Sequence, residues 1–367
     1  MTLDRAEPGT RPAPHPTPAA ESDPATGPAT APSTGPTGPP TAPPPAPADV
    51  LGAGVIAWRT ARNGELEVLL VHRPADDAWS WPSGRPERGE GLAECAAREA
   101  VETTGRQVVL GRPLPASRSG PGPAGAGHEV REVSYWAARL NGRPDDRPRE
   151  HPREVDDVRW VTPEAAAARL THPSDAVPLA ALVGHAAAGT LATTATLVVR
   201  HATARPRDAW ARADADRPLV ASGKRQAMAL GALLQCWRPE HVVSSPWRRC
   251  LETMDPYVAA SGARLRTKGG LSEAGHRRSP AKAGRHVRGL MESAHGGVLC
   301  THRPVLGDVL DAVRAWCAPE VAGLVPAANP YLHPGDVLVA HVAHVSNGTP
   351  RHATHPVVVA VERHGTR

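Results

Sequence analysis

Residues 84–105 read GRPERGEGLAECAAREAVETTG: a glycine-bearing loop, a short amphipathic segment, and a glycine that closes it. The segment from Leu92 to about Thr104 has the spacing of a helix, and Gly105 suits the left-handed cap that ends one. Projected at ~100° per residue, Glu99, Glu102 and Thr103 fall within one arc of ~100°, while Ala97, Ala100, Val101 and Thr104 take the other side. Two carboxylates therefore share a face. A hard cation such as Mg²⁺ needs one or two carboxylates, water, and the oxygens of a substrate's phosphates. A solvated acidic helix face is the plainer alternative for any such charge run.

The flanks supply a sheet for this helix. DVLGAGVIAWR (49–59) and LEVLLVHRP (66–74) predict two strands joined by a turn at Asn63–Gly64. Beyond the helix, VREVSYWAARL (130–140) and VDDVRWV (155–161) predict further strands, and PEAAAARL (163–170) a short helix with proline in its first turn.

With that frame in place, Gly84, Glu90, Arg98, Glu99, Glu102 and Gly105 match the pattern G-x5-E-x7-R-E-x-x-E-E-x-G, and the segment resembles the Nudix family. The resemblance implies an α/β/α sandwich around a mixed sheet, and hydrolysis of a nucleoside diphosphate linked to another moiety. It also implies Mg²⁺, with Glu99 and Glu102 as metal ligands. Two positions depart from the pattern: Thr103 replaces the last family glutamate, and Arg106 stands at an apolar position. A hydroxyl is a far poorer Mg²⁺ ligand than a carboxylate. Losses even outside the ligand shell cost ~10–100-fold, so the barrier should rise by at least ~1.4–2.7 kcal/mol. Glu154 lies where some family members carry a base, and is otherwise a surface glutamate. Trp79 and Trp81 suit either base stacking or core packing.

The remaining composition bounds the rest. At 367 residues the chain predicts two domains after a tail: residues 1–48 are almost all Pro, Ala, Thr, Gly and Ser, too poor in apolar surface to fold, and are expected to be disordered. No apolar run approaches the ~18 residues of a membrane span. Cys95, Cys236, Cys250, Cys300 and Cys317 are odd in number and form no C-x-x-C pair, which argues against a disulfide framework and fits a reducing cytoplasm. The net charge of +5 comes almost wholly from arginine, with no Phe and only three Tyr, so the chain lacks the basic and aromatic platform of a nucleic-acid binder. Small anionic substrates match it better.

A first domain over residues 49–175 and a terminal helix with linker over 176–193 precede a change of pattern. TLVVR (196–200), HVVSS (241–245) and GVLCT (297–301) are short β-rich runs separated by helical segments, which predicts a parallel sheet in a three-layer α/β domain over residues 194–367. Ligands of such sheets bind beyond the C-terminal strand ends. Arg200 and His201 lie at one such end, Arg249 follows the second run, and His302 ends the third. Arginine's fork suits phosphate oxygens, and a histidine among cations stays neutral with a nitrogen free to attack phosphorus. Glu273, in LSEAGH, is the candidate acid.

RHA (201 in its middle), SSPWRRCLET, LSE and VLCTH together resemble the histidine phosphatase superfamily. The resemblance implies His201 as the phosphorylated nucleophile, Arg200, Arg249 and His302 as the phosphate pocket, and Glu273 as proton donor, with no cofactor in this domain. Ala202 replaces the usual glycine, and Arg303 is bulky beside His302. A second Arg-His-Gly at Arg363, His364 and Gly365 is expected to be a frayed terminus. The two resemblances together, as in two-domain MutT-like proteins, imply a hydrolase of nucleoside polyphosphates. Either both sites work, or the first domain only binds nucleotide and His201 carries all turnover.

Overall fold

In the computed structural model, which describes residues 48–120, 130–141, 154–346 and 354–366, two sheets stand side by side. Residues 1–47, expected to form the disordered tail, lie outside the described residues.

The first sheet contains β1 (Val50–Thr60), β2 (Leu66–Arg73), β3 (Ala78–Ser80), β4 (Ser83–Gly84), then, after helix α1 (Leu92–Thr104), β5 (Val108–Ser119), β6 (Arg131–Leu140) and β7 (Asp157–Val161). Helices α2 (Pro163–Arg169) and α3 (Ala176–Ala187) follow. Strand order is β3-β2-β1-β6-β5, with β4 on β1 and β7 on β2. The sheet is mixed, since β1 pairs parallel with β6 while its other pairings are antiparallel. The expected hairpin forms, with the Ala61 amide bonded to the Glu65 carbonyl around Asn63–Gly64.

Alternation along β1 explains the sandwich, because successive side chains face opposite layers. Val55 packs with Ala93, Ala96 and Ala100 of α1, whereas Ile56 packs with Leu179 and Leu182 of α3. Trp81 is fully buried and its indole N–H donates to the Asp175 carbonyl at 3.0 Å, so its role is packing. β5 has no clear sequence signature because Pro113 and Pro115 interrupt it. The structure tolerates them at the sheet edge, where the register shifts between Leu110 and Pro113 and again between Leu114 and Ser117.

The second sheet contains β8 (Thr193–Arg200), then, after α4 (Ala221–Leu234), β9 (His241–Ser244), α5 (Arg248–Ser261), β10 (Arg264–Thr267), α6 (Glu273–Arg278), α7 (Ala281–Met291), β11 (Gly297–Thr301), α8 (Arg303–Arg314), β12 (Val337–Ser346) and β13 (Thr354–His364). Its order is β10-β9-β11-β8-β12-β13. Leu197 and Val199 face α4 and α5, while Val198 faces α7 and α8, which makes three layers. The three expected strands do pair in parallel, joined by β10, and two further strands extend the sheet antiparallel, β12 on β8 and β13 on β12.

The frayed-terminus expectation also fails. Arg363 and His364 end β13, Arg363 holds Asp336 at 2.6 Å, and His364 packs 5.1 Å from the Trp237 ring. The strand survives to its end because its inner face is buried and its polar ends are paired.

One apolar core crosses from sheet to sheet. Cys95, Ala96 and Ala100 of α1, with Val108, Leu110 and Trp136, are continuous with Leu230, Leu233 and Leu234 of α4 and with Trp237. The Leu110 amide donates to the Cys236 carbonyl at 2.8 Å, and the Arg112 guanidinium to the Val359 carbonyl at 3.2 Å. At this seam the Trp136 indole N–H donates to Glu362 at 2.8 Å, and the same carboxylate binds His341 at 2.6 Å and His364 at 3.3 Å.

Candidate active sites

The parallel strands of the second sheet end level. Thr301 stands opposite Arg200, and Cys300 opposite Ser244, so the residues that follow, His201, Ser245 and His302, emerge along one edge. His302 caps α8, and Arg249 sits in the first turn of α5. All five sequence-predicted residues meet here. The Nδ1–H of His201 donates to the Ala202 carbonyl at 2.8 Å, which leaves Nε2 unprotonated, and Nε2 accepts the Nε–H of Arg249 at 3.2 Å. Arginine only donates, so this pair of contacts fixes the tautomer. Burial first, then Arg249, Arg200 and Arg217, push the His201 pKa down to about 3.

The buried Arg249 guanidinium also binds the Glu273 carboxylate at 2.9 Å and the Asp214 carbonyl at 2.8 Å. Glu273 receives Arg207 on its other oxygen at 2.5 Å. Buried His302 meets the Ser245 hydroxyl through Nε2 at 2.8 Å, and its Nδ1 lies 3.8 Å from Glu273. Its ring centroid is 5.1 Å from that of His201. Burial and the adjacent cations hold its pKa well below the ordinary range. Arg200 donates one N–H to the Leu332 carbonyl at 2.7 Å, while its Nε is buried with no protein acceptor. A donor left this way costs free energy until an acceptor arrives, and an anion supplies one. Arg200, His201, Arg207, Arg217, Glu273 and Arg303 line a cleft of about 350 Å³.

Arg207, Asp214, Arg217 and Ser245 belong to this site and were missed by sequence reasoning. Asp214 bridges Arg217 at 2.7 Å and Arg249 at 3.3 Å. The charge-dense loop RPRDAWARADADRP (205–218), lying directly after His201, was the signal available.

In the first domain, α1 brings Glu90, Glu99 and Glu102 around one arginine. Arg98 donates to both oxygens of Glu90 at 2.9 and 3.0 Å, to Glu99 at 2.9 Å and to Glu102 at 3.0 Å. Gly84 is needed beside them, because a Cβ there would lie 1.9 Å from a Glu99 oxygen. Gly105 takes φ 67°, the left-handed cap expected of it. Burial pushes the Glu99 carboxyl above its ordinary pKa even with Arg98 in contact. Thr103 does not share the exposure of Glu102: it is 7% exposed, against 45% for the Glu102 side chain. Arg106 is buried as well, and Glu154 is exposed. Among the described residues no three His, Cys, Asp or Glu side chains form a metal-binding group. Glu99 and Glu102 therefore fit a Mg²⁺ held jointly with substrate phosphates, which needs only one or two carboxylates, and not a cage built by protein alone. Beside Gly84 opens a cleft of about 350 Å³ lined by Arg73, Arg131, Tyr135 and Asp175 among others.

Among the described residues, no helix is long and apolar enough to cross a membrane. Comparison with known proteins agrees with both halves. Residues 50–182 match the model of the NUDIX domain, and residues 196–304 that of the histidine phosphatase superfamily, branch 1. An 8-oxo-(d)GTP phosphatase from Mycolicibacterium smegmatis is 31% identical over 284 residues, spanning 75% of this chain and 84% of that protein. Among solved structures, a C. elegans Ap4A hydrolase in a binary complex aligns at TM-score 0.32 and 22% identity, over 38% of this chain and 98% of its own. A phosphohistidine phosphatase SixA homologue from Agrobacterium tumefaciens aligns at TM-score 0.32 and 18% identity, over 41% of this chain and 91% of its own. By its two domain matches and its relative, the chain is a hydrolase and belongs to the family in which a Nudix domain is followed by a histidine phosphatase domain.

Proposed function

We propose that this enzyme hydrolyses nucleoside polyphosphates at two sites, over domains of residues 49–175 and 194–367 joined by residues 176–193. The 8-oxo-(d)GTP phosphatase relative supports that substrate class. The observation that carries the second site is the fixed tautomer of His201, with Nδ1–H tied to a carbonyl and the unprotonated Nε2 facing arginines, one of which, Arg249, donates to it.

In the phosphatase step, the Nε2 lone pair attacks phosphorus, an N–P bond forms, and the P–O bond to the leaving group breaks. Arg200, Arg249 and His302 hold the phosphoryl oxygens where charge develops. Glu273, placed by Arg207 and Arg249, takes up a proton from solvent as the arriving phosphate draws these arginines to itself, and gives that proton to the leaving oxygen. Water then attacks the phosphohistidine, yields its proton to Glu273 and releases phosphate, which restores His201.

In the Nudix step, bound Mg²⁺ supplies charge neutralisation on the phosphates. Glu99 and Glu102 hold their side of the site, Arg98 orients them, and Arg73 and Arg131 face the polyanion from the neighbouring cleft. The burial of Thr103 and the engagement of Glu90, Glu99 and Glu102 by Arg98 support a second reading, in which this domain only binds nucleotide.

Nucleotide hydrolysis by wild type, His201→Ala and Glu102→Gln, with and without Mg²⁺, separates these readings. Two-site hydrolysis predicts a Mg²⁺-dependent activity lost in Glu102→Gln and a Mg²⁺-independent one lost in His201→Ala. Turnover that needs no Mg²⁺ and responds only to His201→Ala would leave the nucleotide-binding reading standing.

A further inference from the structure

A second cleft of about 420 Å³ adjoins the phosphatase centre, and Arg207 and Glu273 line both. Its other walls are Ala215, Asp214, which already bridges Arg217 and Arg249, and four further side chains, Trp210, Trp247, Arg212 and Arg277. Transfer of a phosphoryl group to His201 uses none of these four side chains. Trp210 is half-buried, its indole N–H donates to the Ala213 carbonyl at 2.9 Å, and Arg205 and Arg212 lie at 6.0 Å from its ring, the outer limit of a cation–π contact. Trp247 is anchored on the catalytic side, with the Arg249 guanidinium 4.5 Å from its ring and His302 at 4.8 Å. Arg277, on α6, and Arg212 are exposed. Indole walls stack flat aromatic groups, and guanidinium forks bind phosphate. With Arg207, Arg212 and Arg277 set against Asp214 and Glu273, the cleft keeps a net positive charge, which suits an anionic leaving group better than an uncharged aromatic one.

We propose that this cleft seats the leaving group of a nucleoside diphosphate, with its base on Trp210 and Trp247 and its α-phosphate on Arg212 or Arg277, while the β-phosphoryl group meets His201. The inference rests on the phosphatase reading above and adds the substrate class. The balance is simple: His201 Nε2 bonds to the β-phosphorus, the bond from that phosphorus to the bridging oxygen breaks, and a nucleoside monophosphate leaves before water releases the phosphate.

The test uses the full chain in EDTA, which silences Mg²⁺-dependent turnover, with ADP, GDP, the matching monophosphates, glycerol 1-phosphate and a phosphotyrosine peptide as substrates. Wild type should prefer diphosphates to monophosphates, and both to glycerol 1-phosphate. Trp210→Ala should raise KM for the nucleotides about 10-fold, the loss expected of one stacked base, with kcat within a factor of two. Trp210→Phe should restore it, and turnover of glycerol 1-phosphate should not change. Arg277→Ala should raise KM for diphosphates more than for monophosphates. Equal losses on nucleotides and glycerol 1-phosphate, or a wild type preferring glycerol 1-phosphate or a phosphotyrosine peptide, would overturn the proposal while leaving the phosphatase reading intact. No His201-dependent turnover of any of these would remove both.

Discussion

The Nε–H of Arg249 lies 3.2 Å from Nε2 of His201, so the lone pair assigned to attack phosphorus is occupied by a guanidinium until substrate arrives. The contact disfavours protonation of that nitrogen and, in the proposed phosphatase step, marks where the phosphate charge would sit. It also sets the pH range of the chemistry. With a pKa pushed down to about 3, His201 is neutral throughout the ordinary range, so phosphatase kcat/KM should show no acid limb near pH 6.5. A pH–rate profile in EDTA that falls through pH 6.5 would contradict this.

Acid stability follows from the same burial. Above pH 6.5 His201 is neutral folded or unfolded and contributes no pH dependence. Between pH 6.5 and about 3 the unfolded chain takes up a proton that the folded chain refuses, so stability falls as pH falls, by at most ~1.4 kcal/mol per pH unit. Glu362 acts lower down. Burial raises its pKa, but hydrogen bonds from His341 and His364 outweigh that and bring it to about 2, so its stabilisation is present above pH 4.5 and lost as pH falls through 2. Thermal unfolding of wild type and His201→Gln from pH 7 to 4.5 should give a shallower slope for the variant.

Thr103→Glu restores the family carboxylate at a buried position. Desolvation should lower Tm by several degrees without metal, Mg²⁺ should recover most of the loss, and Mg²⁺-dependent hydrolysis should rise about 10-fold or more. Scanning calorimetry with and without Mg²⁺ reads the first two effects. An unchanged rate would show that the site lacks more than this ligand.

Glu362→Gln weakens the seam between the domains, where one carboxylate serves Trp136, His341 and His364. Hydrogen bonds to charged groups contribute ~1.5–3 kcal/mol, so a loss of about 2 kcal/mol is expected. Because the apolar core is continuous across the seam, calorimetry should show a single transition moving as a whole. Two separated transitions would mean that the halves unfold independently.

Much of this was legible in the sequence, for identifiable reasons. The α1 helix ends where Gly105 caps it, and the phosphatase residues meet because parallel strands deliver them to one edge. β5 was hidden by Pro113 and Pro115, whose cost depends on edge placement, and that placement is a tertiary fact. The 3.6-residue period put Thr103 on the arc of Glu99 and Glu102, but it cannot tell which part of that arc neighbouring elements cover. Asp214, Arg207 and Arg217 escaped because a charged loop has no periodicity to place its side chains.

The bond from Trp136 to Glu362 spans 226 residues of chain, and this gives the molecule a schedule. At ~5–20 residues per second of synthesis, roughly 10–45 s separate the emergence of Trp136 from that of its acceptor. For the first ~5–20 s of that interval, until α4 and Trp237 are made, the α1 side of the first domain, with Cys95, Ala96 and Ala100, waits on the ribosome with its apolar partner unmade. A chaperone that shields this one surface during translation would protect both domains at once.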